Sequence, residues 1–238
     1  MLGRSVKWII LLIRKLNPVQ GGIIWQGGLS YWVRLRERNI IQFLLGLLIL
    51  VGVRTCDERA FLKTAADEIL NHLKRLIGLK LSIARRAADL RNFQFGPVRL
   101  VDNGTVGEFA LHIQCPWCIE GPDGIVTGRL DLWEPAEVVD DFDWESWDYE
   151  TGENLQDKRI GTLLGGYDPQ TRSFVNTTSH LVVTDVETDC FGGAAITLSG
   201  GFRLVLFPAG TQGEDWRLFR PGIDEPHFVV SGGAVDEQ

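Results

Sequence analysis

The residues best suited to chemistry are a histidine and two cysteines, spaced three apart as His112, Cys115 and Cys118. A C-x-x-C pair becomes a redox-active dithiol when a helix N-terminus lowers the pKa of its first thiol. The same three side chains are also zinc ligands, and His180 or Cys190 could supply the fourth position. The spacing therefore leaves open a thiol enzyme or a zinc site, each of which needs a particular local backbone.

The elements that must position these residues do not favour either chemistry. Large apolar residues recur at every second position from residue 109 to residue 117, which predicts a strand with one buried face. The segment after Cys118 contains Gly121 and Pro122 and cannot begin a helix of useful length. In a strand, Cys115 also faces away from His112 and Cys118. We therefore expect two buried or half-buried cysteines at a strand end, and a thiol or zinc enzyme is the alternative.

A second candidate is an acidic, aromatic segment within residues 133–150. Its carboxylates lack the spacing and the turn glycine of a calcium-binding loop. Crowded carboxylates repel each other unless a cation or a basic surface lies opposite, and tryptophan is enriched in interface hot spots. The alternative is a solvated loop whose aromatic side chains fold back onto the core. We expect a partner-binding surface, composed of Asp140, Asp141, Asp143, Trp144, Glu145 and Trp147.

Other catalytic and cofactor motifs are absent from the sequence. It contains no G-x-S-x-G elbow, no Walker loop and no G-x-G-x-x-G before a helix. The four histidines are scattered along the chain. We therefore expect no cofactor and a non-catalytic protein.

The net charge of −7 conceals an uneven distribution. Residues 1–100 carry a net charge of +11, and residues 101–238 carry −18. A segment that acidic repels nucleic acid and attracts basic partners. We therefore expect a basic protein partner and no nucleic acid. Four cysteines are too few for a disulfide scaffold in a chain of this length, which indicates reduced thiols in the cytoplasm.

Residues 1–55 differ from the rest of the chain, with eight basic residues and one acid. Within them, residues 39–53 are strongly apolar but shorter than the ~20 residues of a membrane-spanning helix. Three interpretations remain open. The segment could be a membrane anchor, an amphipathic or core-packed element, or sequence upstream of the native start. It lacks the short basic region and the cleavage site of a signal peptide.

The remaining sequence predicts a single α+β domain over residues 56–238. Helical spacing and end charges predict an N-terminal helix over residues 56–76. We expect one or two further short helices, one of them over residues 153–164. From residue 180 onward, alternating apolar runs separated by glycine pairs predict antiparallel strands. We expect a mostly antiparallel β-sheet. The second half of residues 79–95 should be a strand that pairs with the stretch after Val106.

Residues from about 76 to 235 resemble a family of small bacterial proteins with no assigned activity. The resemblance rests on residues 86–90, 95–96, 107–117 and 121–128, together with two C-terminal stretches, 216–219 and 226–230. It implies no activity, substrate or cofactor. It does imply an arginine after Trp117, where this chain has Cys118 instead. This departure weakens the case for a C-x-x-C site.

Overall fold

The period-two alternation of apolar residues produces strands that each bury one face in a shared core. The computed structural model describes residues 56–101, 104–138 and 142–236. Two α-helices lie in this part of the chain, α1 (Cys56–Leu73) and α2 (Leu155–Leu164), and short 3-10 helices occupy Lys74–Leu76 and Arg129–Trp133. All strand pairs in the two larger sheets are antiparallel.

The first sheet has eight strands in the order β15-β14-β13-β5-β2-β1-β9-β8. Its strands are β1 (Leu81–Ala87), β2 (Leu90–Phe95), β5 (Phe109–Ile113), β8 (Gly165–Asp168), β9 (Ser173–Asn176), β13 (Glu214–Phe219), β14 (Phe228–Ser231) and β15 (Ala234–Val235). Phe95 lies opposite Phe109, so β2 pairs with β5. The predicted pairing of the second half of residues 79–95 with the stretch after Val106 is confirmed.

The second sheet has five strands in the order β10-β11-β12-β6-β7. Its strands are β6 (Trp117–Gly121), β7 (Gly124–Gly128), β10 (Val183–Thr188), β11 (Ala194–Leu198) and β12 (Phe202–Leu206). A separate hairpin joins β3 (Arg99–Val101) to β4 (Gly104–Val106). The glycine pairs at residues 192–193 and 200–201 lie at the β10–β11 and β11–β12 reversals, as predicted.

One hydrophobic core joins the two sheets. Phe93 of the first sheet meets Trp117 of the second edge to face, with ring centroids 5.3 Å apart. The indole N–H of the fully buried Trp216 donates to the carbonyl of Gly192 at 2.8 Å, so this polar group stays satisfied in the interior. The inward side of α2 contributes Ile160 and Leu164, both fully buried.

The prediction of a mostly antiparallel sheet with helices is confirmed, and this architecture is compatible with an α+β fold. The predictions for residues 1–55 lie outside the described residues, including the membrane anchor at residues 39–53. Within the described residues, no helix has the length and apolar character needed to cross a membrane.

Candidate functional site

The backbone changes sheets between Ile113 and Trp117, at the predicted thiol site. β5 ends in the first sheet and β6 begins in the second, with Cys115 in the link. Cys115 is 5% exposed, and burial raises the pKa of its thiol to about 12. Burial, followed by the charge of Glu120, also raises the pKa of Cys118. Because a reactive cysteine needs a lowered pKa, the electrostatics oppose a redox dithiol.

His112 lies on the opposite face of β5 from the core residues Leu111 and Ile113. Its ring packs edge-on against Phe219, with centroids 4.7 Å apart. Burial, followed by the charge of Arg217, lowers the pKa of His112 to about 4. Among the residues that the structure describes, no three His, Cys, Asp or Glu side chains are grouped to hold a metal. The alternative set of His112, Cys115 and Cys118 is therefore not brought together.

The acidic, aromatic segment forms a surface loop, and we name residues 142–153 the acidic loop. Five of its carboxylates are exposed, those of Asp143, Glu145, Asp148, Glu150 and Glu153. Asp140 and Asp141, also predicted for this surface, lie outside the described residues.

The two predicted tryptophans of the acidic loop differ in exposure. The Trp144 ring is 55% exposed and contacts Phe142 edge to face, with centroids 4.9 Å apart. Trp147 is half-buried.

Side chains of the acidic loop stabilise its own turns. Oδ1 of Asp143 accepts from the backbone N–H groups of Glu145 and Ser146 at 3.1 and 3.3 Å. Hydrogen bonds from the Ser146 side chain and from these two backbone groups lower the pKa of Asp143. Oδ1 of Asp148 accepts from the backbone N–H of Glu150 at 3.0 Å. Such side-chain to backbone bonds favour turns over helix or strand, which accounts for the turns in this polar segment.

The acidic loop is anchored to the domain at its C-terminal end. An isolated antiparallel bridge joins Pro135 to Asn154, just outside the loop. Nη2 of Arg86 donates to the carbonyl of Tyr149 at 3.1 Å. The Tyr149 ring packs edge-on against Trp133, with centroids 4.5 Å apart. A main-chain carbonyl and an aromatic ring therefore hold the loop.

A charge network around the buried Arg91 lies at the base of the acidic loop. Asp157 in the first turn of α2 accepts from Nε of Arg86 and from Nη2 of Arg91, both at 2.8 Å. Burial alone would raise the pKa of Asp157, but Arg91 and then Arg86 and Asn154 lower it overall. Arg91 is 1% exposed and also donates to Gln156. Two guanidinium groups share one carboxylate here, which leaves one positive charge in surplus.

A polar cleft of about 580 Å³ opens beside the acidic loop, next to the β1–β2 and β8–β9 turns. Its lining includes Arg86, Ala88, Glu150, Tyr167, Arg172 and Phe174. Ala88 and Arg172 have φ angles of +50° and +49°, in the left-handed region that side-chain-bearing residues rarely adopt. Retained strain of this kind is concentrated at functional sites. The cleft and the acidic loop together form the candidate functional site.

Sequence reasoning did not identify the cleft. Its only sequence signal is a group of basic residues, Arg85, Arg86 and Arg91, in a domain whose C-terminal part is acidic. The approach of Arg172 to Arg86 depends on the pairing of β1 with β9, which no local pattern reveals.

Comparisons of the chain with protein-family models, with curated proteins and with solved structures found no match. The resemblance to small bacterial proteins stays a prediction, and function is argued from the acidic loop and the cleft.

Proposed function

We propose that this domain is a non-catalytic protein-binding domain that captures a basic partner through the acidic loop. One observation carries the proposal: Trp144 is 55% exposed and lies between the exposed carboxylates of Asp143 and Glu145. An aromatic anchor with charges around it is the arrangement that supplies affinity and selectivity at protein interfaces.

The alternative, a solvated loop that returns its aromatics to the core, accounts for only part of this loop. Trp147 is half-buried and Tyr149 packs on Trp133, so these two rings are at least partly covered. Trp144 contacts Phe142 and is 55% exposed. The ordered turns around Asp143 and Asp148 reduce the entropy that binding must remove, which favours recognition by a preformed surface.

A partner with a cationic surface fits this chemistry best, and an immunity-type inhibitor of a basic toxin is one protein of that kind. Such an inhibitor presents carboxylates to a positively charged active site. We place the domain in the cytoplasm, where thiols stay reduced. A domain attached to a membrane through residues 39–53 is the alternative location.

Capture from lysate by the immobilised full chain, with partner identification by mass spectrometry, tests the proposal. Trp144→Ala combined with Asp143→Asn and Glu145→Gln should abolish capture of a basic protein. A Trp144→Ala change alone should weaken binding roughly 30-fold, the effect of an interface hot spot worth about 2 kcal/mol. Raising the salt concentration should weaken capture by the parent protein, because screening acts on exposed charges.

Matched changes elsewhere on the surface provide the control. Phe191 is 59% exposed and Asp123 is exposed, and neither belongs to the acidic loop. Phe191→Ala with Asp123→Asn should leave capture intact. The proposal fails if the acidic-loop variant and the parent protein retain the same basic partners, or if the control variant loses them equally.

A further inference from the structure

We propose that the polar cleft beside the acidic loop binds a small ligand through an oxyanion, a carboxylate or a phosphate, held by Arg172 and Arg86. Glu150 and Thr151 of the acidic loop line this cleft, but the proposed ligand contacts do not use the side chains of Asp143, Trp144 and Glu145.

Arg172 has no partner for its guanidinium among the described residues. Its side chain is exposed at the cleft and forms no hydrogen bond or ion pair with any residue in the described ranges. Arg86, across the cleft, already donates through Nε and Nη2 to Asp157 and to the Tyr149 carbonyl. A planar guanidinium is suited to two-pronged contact with carboxylate or phosphate oxygens. Arg172 therefore has its full donor set available to a ligand.

The charges of the side chains that line the cleft balance, with Arg86 and Arg172 against Glu150 and Asp157. Asp157 already accepts from Arg86 and from the buried Arg91, and Oε1 of Glu150 accepts from the Tyr149 hydroxyl. Both carboxylates of the lining therefore have partners, whereas Arg172 has none among the described residues. Residues 101–238 carry a net charge of −18, so an unpartnered guanidinium in a concave site is where this surface can hold a small anion.

One wall of the cleft is aromatic. Tyr167 and Phe174 form an aromatic wall, with ring centroids 5.2 Å apart, and Tyr167 is 55% exposed. Such a wall accepts an apolar or aromatic body beside the anionic group. This favours an aromatic carboxylate, and inorganic phosphate tests the oxyanion contact alone.

The backbone at Arg172 is strained. Arg172 has a φ of +49°, a conformation that glycine adopts without cost. Glycine should therefore relieve strain at this position. Strained residues that are retained without glycine are concentrated at functional sites, which supports a role of the Arg172 side chain in binding.

Isothermal titration of the full chain with sodium benzoate and with sodium phosphate, at constant ionic strength, tests the site. At least one probe should bind saturably at millimolar concentrations. If benzoate binds more tightly than phosphate, the natural ligand carries a carboxylate. If phosphate binds more tightly, the natural ligand is phosphorylated. Arg172→Gly should weaken binding at least tenfold and raise the melting temperature by about 2–4 °C. Arg172→Lys keeps the positive charge but loses the paired donors of the planar guanidinium, so it should retain part of the affinity.

Arg203 is the matched control, because it is a half-exposed arginine of β12 that pairs with Glu120 and Glu187 away from the cleft. Arg203→Ala should leave binding of both probes within twofold of the parent. The inference is overturned if neither probe saturates, or if Arg203→Ala weakens binding as much as Arg172→Gly does. A fall in melting temperature for Arg172→Gly would overturn it as well, since that result would show that Arg172 stabilises the fold.

Discussion

The charge network beneath the acidic loop predicts that Asp157→Asn will strongly destabilise the domain. Asp157 is the counter-ion of Arg91, with 2.8 Å between Oδ1 and Nη2, and Arg91 is 1% exposed. Asparagine preserves the shape of the side chain and removes its charge. The buried guanidinium of Arg91 then lacks a counter-ion in a medium that solvates it poorly.

The size of this effect follows from the burial of Arg91. Removing one partner of a buried ion pair costs about 3–5 kcal/mol, because the remaining charge is uncompensated. A loss of 1 kcal/mol lowers the melting temperature by about 2–4 °C in a domain of 150–250 residues. The melting temperature of Asp157→Asn should therefore fall by roughly 6–20 °C.

Urea unfolding at pH 7, followed by tryptophan fluorescence and by circular dichroism, measures the loss. Arg91→Met in the Asp157→Asn background should recover most of it, because an apolar side chain does not need the missing carboxylate. Glu137→Gln, which breaks the exposed Lys158–Glu137 pair, is the control and should leave the midpoint unchanged. A loss below about 1 kcal/mol, or a double variant no more stable than the single one, would contradict the reasoning.

The pH dependence of the folding stability provides a second test of the charge effect at Asp157. The pKa of Asp157 is lowered in the folded protein. Its stabilising contribution is therefore fully present above the ordinary aspartate pKa of about 3.9, and it is lost as the pH falls through the lower folded value. The stability difference between the parent and Asp157→Asn should shrink in acid. A constant difference down to the lowest pH at which both proteins fold would argue against a charge effect.

Two other titrating groups give further predictions. The pKa of His112 is lowered to about 4, so its contribution to stability is present above about pH 6.5 and is lost as the pH falls through 4. Imidazole NMR should show that titration, and His112→Gln should flatten the pH dependence of the urea midpoint between those values. Burial raises the pKa of Cys115 to about 12, so iodoacetamide at pH 8 should label it only after unfolding. Peptide mass spectrometry checks this, and labelling of Cys115 in the folded protein at the rate of an unfolded thiol would refute it.

The alternation of apolar residues predicted the strands but concealed a change of sheet. Phe109, Leu111, Cys115 and Trp117 are all buried, as their spacing indicates. The chain nevertheless leaves the first sheet after Ile113 and enters the second at Trp117. Both sheets face one core, so residues that point inward stay apolar across the link. A period-two pattern therefore cannot distinguish one long strand from two short strands in opposing sheets.

The β1 strand has no clear period in the sequence. Ala84 and Ala87 suit a helix, and the apolar residues around them do not alternate. In the structure, a β-bulge between Leu81 and Ile83 shifts the register with β2, so Leu81 and Ala84 both join the core although they are three residues apart. A bulge of this kind breaks the alternation that identifies a strand.

Only part of the candidate site could be predicted from composition. The clustering of acids and tryptophans within residues 133–150 identified the acidic loop, because local crowding of like charges is visible in a linear sequence. The cleft was missed, since Arg86 and Arg172 meet only through the pairing of β1 with β9. The left-handed backbone at Ala88 and Arg172 also has no sequence signature, because neither residue is a glycine.

The anchoring of the acidic loop separates its folding from its proposed binding. Arg86 holds the loop through the main-chain carbonyl of Tyr149, and the Tyr149 ring rests on Trp133. Neither contact uses the carboxylates of Asp143 and Glu145 or the ring of Trp144. Neutralising these side chains should therefore remove a partner without releasing the loop from the domain, whereas a change at Arg86 would disturb the loop, the cleft and the Asp157 network together.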